Sequence, residues 1–291
     1  MPDNDINYNP KALVNWYPGH MAQARRKLEP LIKIVDAVVE LCDARAPYAT
    51  RNPDLNRLTN NKTRILVLNK ADLADDNATA EWLRYYRSKG ITAIRCNSNG
   101  GRSKEALAKI EEAVRPITER AQRRGMKKTV RIMVIGIPNV GKSTFINRLY
   151  GSSIAKASDR PGVTRANQWV KLGPFMELLD TPGMLPPKLD DQDKAKFIAY
   201  LGSIRDQITD TSALTLSLLE KLMELAPEQT MARFKLDNGE YSSPEEMLER
   251  VCKGRGWLLS GGRYDFDRAE ALIMDEFRAG KVGRITLERP L

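Results

Sequence analysis

Histidine occurs once among the 291 residues, cysteine three times, and no apolar run approaches the length of a membrane span. Each scarcity removes a class of function. Cys42, Cys96 and Cys252 share no short-range spacing, so neither a zinc site nor a disulfide framework is indicated. Cys42 ends the apolar run Ala37-Val38-Val39-Glu40-Leu41 and is expected in the core. Without a spanning run, no membrane partner is expected. The opening Met1-Pro2-Asp3-Asn4-Asp5 lacks the basic and apolar regions of a signal peptide. The expectation is a cytoplasmic protein, or a mitochondrial matrix protein if organellar, with no clear transit peptide. Internal repeats and low-complexity segments are also missing.

What is abundant is positive charge, and it is unevenly placed. The chain carries a net +10; residues 1–189 hold 32 Lys plus Arg against 18 Asp plus Glu, while residues 190–291 hold 15 against 19. The excess concentrates at Arg25-Arg26-Lys27 and along Arg120, Arg123, Arg124, Lys127, Lys128 and Arg131. The second run could rest on RNA phosphates or be a solvated helix end. In the C-terminal part, basic residues outnumber acidic ones only after residue 250. RNA contact there is expected through Lys253, Arg255, Arg263 and Arg284, although composition does not distinguish RNA from another acidic partner. The four tryptophans are read mainly as packing residues, with Trp257, beside Lys253 and Arg255, as the best candidate for stacking on a base.

The segment Val130-Arg131-Ile132-Met133-Val134-Ile135 is a short β-branched run followed by Gly136-Ile137-Pro138-Asn139-Val140-Gly141-Lys142-Ser143. That is the strand, glycine loop and helix of a phosphate-binding loop. Backbone amides around Asn139, Val140, Gly141 and Thr144 can turn toward phosphate oxygens. Lys142 reaches the terminal phosphates, and the Ser143 hydroxyl can ligate magnesium.

A second motif, Asn69-Lys70-Ala71-Asp72, follows the apolar strand Arg64-Ile65-Leu66-Val67-Leu68. The Asp72 carboxylate can accept both the ring imino proton and the exocyclic amine of guanine, two donors that adenine lacks there. Asn69 is expected to tether the phosphate loop, and the Lys70 stem to cover the base. Asn97 and Ser98, after the run Ile91-Thr92-Ala93-Ile94, could present amides to the guanine carbonyl.

Asp180-Thr181-Pro182-Gly183 ends the strand Phe175-Met176-Glu177-Leu178-Leu179, and 37 residues separate Asp180 from Lys142. Asp180 can hold magnesium through water, and Gly183 can offer its amide to the γ-phosphate. Arg160-Pro161-Gly162-Val163-Thr164-Arg165 fits a switch loop with Thr164 as a magnesium ligand; the alternative is a plain surface loop. Many GTPases place glutamine after the Asp-x-x-Gly motif to orient the attacking water. Met184 stands there instead, so unaided hydrolysis should be slow. Asp43-Ala44-Arg45-Ala46-Pro47 reads as a rigid, ion-paired loop rather than a catalytic pair.

The guanine motif precedes the phosphate loop, the reverse of the ordinary order, which points to a circularly permuted G domain. Strands are expected at 37–42, 64–69, 91–95, 130–136, 167–172 and 175–180, forming a mostly parallel six-stranded sheet whose last two strands make a hairpin edge. After Pro186-Pro187 the pattern becomes helical: Leu214, Leu218, Leu219 and Leu222 share a face, Ser243-Pro244-Glu245-Glu246 is a capping box, and Leu272, Ile273 and Phe277 precede a stop at Gly280. The expected organisation is a tail over 1–15, the α/β circularly permuted P-loop GTPase domain over 16–187, and a small all-α domain over 188–291 with RNA contact.

Together with Trp16-Tyr17-Pro18-Gly19-His20-Met21 and the later Leu259-Ser260-Gly261-Gly262 and Gly283-Arg284, these motifs resemble the YlqF/RbgA-type ribosome biogenesis GTPases. The resemblance implies a GTP/GDP-binding, monomeric enzyme that binds a late precursor of the large ribosomal subunit and its rRNA, hydrolyses GTP when stimulated by that particle, and leaves. It carries a water-activating role onto His20, whose ordinary pKa of about 6.5 suits that task; the alternative is a histidine that packs or caps a helix. It also implies a potassium ion beside Asn139. Two other functions remain open: a nucleotide-gated RNA-binding module in which hydrolysis is incidental, and a GTPase for small-subunit assembly or another RNA.

Overall fold

The computed structural model describes residues 19–53, 55–97, 103–150, 168–172, 175–181, 183, 191–204, 210–237, 239 and 241–290. Among these residues six strands form one sheet: β1 (Ala37–Asp43), β2 (Thr63–Asn69), β3 (Thr92–Arg95), β4 (Val130–Ile135), β5 (Gln168–Lys171) and β6 (Met176–Asp180), in the order β3-β2-β1-β4-β6-β5. Only β5 runs antiparallel, paired with β6, so the hairpin does form the edge. β1 is buried along its whole length and β4 at every position but Arg131. Strands covered on both faces read as unbroken apolar runs, which is why these two were legible.

One polar residue interrupts that logic. Glu40, in the middle of β1, is buried, and its carboxylate accepts hydrogen bonds from Arg51 (2.9 Å), Arg64 (3.1 Å) and the backbone amide of Asn52 (3.1 Å). A buried carboxylate without such partners would be strongly destabilising.

Helices cover both faces. On one, α1 (Gly19–Ile34) contributes Leu28 and Ile32 to a cluster with Val38, Met133 and Leu179, joined by Leu55 of the short α2 (Leu55–Leu58). α3 (Asp76–Ser88) sets Trp82 and Tyr86 against Leu66 and Leu68. On the other, α4 (Ser103–Arg123) and α5 (Lys142–Tyr150) bury Ile110, Val114, Phe145 and Ile146 on Val39, Val67, Ile132 and Val134.

The remaining helices among the described residues are α6 (Gln192–Tyr200), α7 (Thr211–Leu225), α8 (Pro227–Phe234), α9 (Pro244–Arg255) and α10 (Phe266–Arg278). Leu214, Leu218, Leu219 and Leu222 of α7 and Ile273 and Phe277 of α10 are buried, as their spacing indicated. They belong to the same apolar cluster as the sheet residues, so the helical layer shares a core with the sheet. The α9 cap differs in detail from a full capping box. Ser243 accepts from the Glu246 amide, but the Glu246 side chain reaches Ser242 rather than Ser243. Among the described residues no helix is long and apolar enough to cross a membrane.

Candidate nucleotide-binding site

In parallel register, Asp43 lies beside Asn69 and Val134 beside Asp180. The carboxyl ends of β1, β2, β4 and β6 therefore share one edge, the edge at which open α/β sheets bind ligands.

The phosphate loop fits that edge only because it is glycine-rich. A Cβ on Gly136 would come within 2.6 Å of the Leu41 carbonyl oxygen, and one on Gly141, at φ +91°, within 2.6 Å of Asn69 Nδ2. α5 begins at Lys142, with Ser143 and Thr144 half-buried in its first turn. Lys142 is buried and donates from Nζ to the carbonyls of Gly136 (3.1 Å) and Ile137 (3.0 Å). Burial pushes its pKa down to about 8, against the pull of Asp180. The β6 end closes onto the same loop: a Cβ on Gly183 would lie 2.9 Å from Pro138 and 3.1 Å from Lys142 Nζ. Thr181 fixes that approach by donating its hydroxyl to the Val134 carbonyl (2.7 Å). Burial raises the Asp180 pKa, with Lys142 opposing, and Asp180 Oδ1 is buried without a hydrogen-bond partner.

On the base side, Asn69 is buried and donates from Nδ2 to the Val140 carbonyl (2.7 Å), the expected tether to the phosphate loop. Lys70 sits at φ +56°. Its ammonium donates to the Asn139 carbonyl (2.6 Å) and pairs with Asp43 (3.2 Å), joining the guanine motif to the loop. Burial lowers the Lys70 pKa, and Asp43 opposes that shift. Asp72 presents an exposed carboxylate, while Ala71 donates its amide to the Cys96 carbonyl (3.1 Å), bringing half-buried Asn97 to the same loop cluster.

Several contacts around this site could not be read from the motifs. Arg284 donates to the carbonyls of Ala74 (3.0 Å) and Ala71 (3.2 Å) and pairs with Asp76, bracing the guanine loop from behind. Ile285 adds a bond from its amide to the Leu73 carbonyl (3.3 Å). On the phosphate side, Asn139 donates from Nδ2 to the Gly202 carbonyl (2.5 Å), and Ser203 donates its hydroxyl to the Pro138 carbonyl (2.7 Å). Arg278 binds the carbonyls of Tyr200 (3.1 Å) and Ala199 (3.1 Å), so α6 and α10 are tied just behind the phosphate loop.

These placements revise part of the sequence reading. Arg284 and Arg255 were expected to meet RNA, yet Arg284 braces the guanine loop, and Arg255 pairs with Glu276 (3.0 Å) and donates to the Arg233 carbonyl (2.9 Å). Trp257 is not a free stacking platform: it is buried, with the Arg255 guanidinium 4.8 Å from its ring centre. Lys253 and Arg263 remain exposed. His20 lies in the first turn of α1, and its side chain is outside the described residues, as are Ser98, Thr164 and Met184.

Three comparisons with known proteins bear on this site. A family model described as "50S ribosome-binding GTPase" matches residues 131–241. The chain is 41% identical over 283 residues to Ribosome biogenesis GTPase A of Bacillus cereus, covering 96% of this chain and 94% of that protein. Among solved structures it is similar to a GNP-bound YlqF from T. maritima, at 31% identity and a TM-score of 0.65, covering 92% of this chain and 98% of that one. A GDP-bound YlqF structure gives 29% identity and a TM-score of 0.68 over 91% and 99%.

Proposed function

Since the chain belongs to the ribosome biogenesis GTPase A family, also called YlqF, and is a GTPase with a circularly permuted G domain, we propose that it binds a late precursor of the large ribosomal subunit and leaves on hydrolysis. The observation that carries this reading is the pair of bonds from the phosphate loop to the helical layer, Asn139 to Gly202 and Ser203 to Pro138. A loop that senses the terminal phosphate is thereby linked to surfaces able to hold or release a particle.

The positions of the side chains support the following roles. Lys142 exchanges its two loop carbonyls for the terminal phosphates, and the amides of Asn139, Val140, Gly141, Thr144 and Gly183 hold phosphate oxygens. Asp72 reads guanine, with Asn69 and Lys70 fixing the loop that carries it, and Asn97 and Ser98 flanking the base.

The unpartnered, buried Oδ1 of Asp180 beside the first turn of α5 is the donor chemistry a hard divalent cation takes. Ser143, Thr164 and Asp180 would hold magnesium there, which neutralises charge developing on the phosphates. Asn139 commits its amide nitrogen to Gly202 and would offer its amide oxygen to potassium. With methionine at 184, orientation of the attacking water falls to His20.

GTP turnover measured in potassium and in sodium, with and without purified large ribosomal subunits, tests the proposal. Stimulation by large subunits, greater in potassium, is expected. Turnover indifferent to subunits would overturn the activation step.

A further inference from the structure

The edge of the sheet opposite the nucleotide site has a distinct surface of its own. Residues 120–131 contain six cationic side chains and no acidic one, and every residue from Gln122 to Thr129 is exposed. This segment joins the end of α4 to the start of β4. A G domain that began at its phosphate-loop strand would have its two chain ends here, so the basic run lies on the joint that permutation created.

Aromatic faces border it. Val130 donates its amide to the Phe175 carbonyl (2.8 Å), which brings the β5–β6 turn alongside, with Phe175 58% exposed. Arg131 holds its guanidinium 5.4 Å from the ring centre of Trp169, itself 41% exposed on the edge strand. A cleft of about 270 Å³ opens between α4 and that hairpin, lined by Arg115, Thr118, Gln122, Lys127, Lys128 and Phe175. Its volume falls just below the roughly 300–1,000 Å³ of small-molecule pockets, which suits a single base or sugar-phosphate unit rather than a whole cofactor. Side-chain alternation puts Val130 on the α4 face and Arg131 with Trp169 on the other, so the surface wraps around the sheet edge.

Few of these charges are spent internally. Lys128 pairs with Asp36, and Arg131 lies 3.6 Å from Glu177. Arg115, Arg120, Arg123, Arg124 and Lys127 form no ion pair among the described residues. A row of free cations interleaved with exposed rings is complementary to a polyanion whose units also have π-faces.

We propose that this surface docks a single-stranded segment of large-subunit ribosomal RNA, with phosphates on Arg115, Arg123, Arg124 and Lys127 and bases against Phe175 and Trp169. The proposal rests on the assembly reading for the identity of the RNA. β4 spans six residues, so the surface lies about 20 Å from the phosphate loop and can hold RNA without touching the nucleotide.

The test is equilibrium binding of the full-length protein to purified large-subunit ribosomal RNA across a salt series. One variant combines Arg123→Glu, Arg124→Glu and Lys127→Glu; a second combines Trp169→Ala and Phe175→Ala. The charge variant should bind at least about tenfold more weakly, with its log–log salt slope reduced by about 2. The aromatic variant should lose roughly tenfold with the slope unchanged. Both should keep RNA-free GTP turnover and GDP affinity, which certifies that they fold. Parent-like RNA binding by both variants would overturn the proposal. So would an aromatic variant that binds normally while the charge variant loses RNA and polyglutamate equally, the signature of a site for acidic protein. If the RNA results hold but large subunits fail to stimulate turnover, the assembly reading falls and the RNA surface stands.

Discussion

Arg45 reaches across to Phe277: from the end of β1 its Nη1 donates to the Phe277 carbonyl (3.2 Å) and to that of Arg278 (3.0 Å), at the carboxyl end of α10. The remaining guanidinium face is held by Asp43, at 3.0 Å to Nε and 2.9 Å to Nη2. A cation at a helix C-terminus satisfies carbonyls that lack helical partners. Asp43 also pairs with Lys70, Lys70 with the Asn139 carbonyl, Asn139 with Gly202, and Arg278 with Ala199 and Tyr200. The phosphate loop, guanine loop and helical layer thus form a closed circuit, and Arg45 is its most buried cation.

Replacing Arg45 by alanine should therefore be expensive, because it leaves the buried Asp43 carboxylate with only Lys70 and the backbone amide of residue 45 as partners. The expected loss is about 3–5 kcal/mol, read from urea unfolding; a loss under about 1 kcal/mol would show the circuit to be incidental. Burial opposes ionisation of Asp43, but Arg45 and Lys70 hold its pKa well below the usual carboxylate range. Its contribution is present above the unfolded pKa of about 3.9 and is lost as pH falls through the lower folded value.

Glu288 gives the opposite pH dependence. Its carboxylate accepts from the amides of Tyr48 and Ala49 (3.0 Å to the latter), which fastens the C-terminal segment to the loop after β1. Burial pushes its pKa up to about 7 from 4.5, with those two amides opposing. A raised folded pKa stabilises fully below the unfolded value and ceases to do so as pH rises through about 7. Glu288→Gln, permanently neutral, should flatten the decline of stability between pH 5 and 8, a difference of about 2 kcal/mol. Parallel pH profiles for parent and variant would exclude this role.

Arg284→Ala should loosen the guanine loop without touching the phosphates. Two bonds to the carbonyls of Ala71 and Ala74 are lost, so the GTP KM should rise by roughly tenfold, in line with about 1.5 kcal/mol for charge-assisted bonds, while kcat stays level. Arg284→Lys should recover part of the affinity. An equal fall in kcat with no change in KM would place the effect elsewhere.

His20→Ala should lower subunit-stimulated turnover by roughly a hundredfold or more and leave GDP affinity nearly unchanged. A variant that fails to bind nucleotide would make His20 a structural residue.

The sheet was largely readable in advance. The expected strand at 37–42 is found at Ala37–Asp43, and that at 64–69 at Thr63–Asn69, because buried parallel strands leave a local apolar record. Gly141 was recognisable as a loop glycine, although the reason it must be glycine, the Asn69 amide packed against it, is a contact between residues far apart in the chain. Glu40 carries no such record: nothing in a run of aliphatic neighbours announces Arg51 and Arg64 as partners. The internal partners of Arg255 and Arg284 and the burial of Trp257 went unread for the same reason, since composition counts charges and rings without seeing what packs against them.

The residues alone carried the permuted order of the motifs, the phosphate loop, the Asn-Lys-Ala-Asp tetrapeptide from which guanine recognition by Asp72 is proposed, and the want of a glutamine after Gly183. All of these depend on side-chain chemistry at short spacing, where a few neighbouring residues contain the whole signal. Folding settled which arginines are committed internally, how the C-terminal segment braces the guanine loop, and where cations and rings stay open to a partner. Those outcomes turn on hydrogen bonds and ion pairs that act over about 3 Å between residues separated by 233 or even 240 positions, a separation across which local sequence carries no trace of the partner.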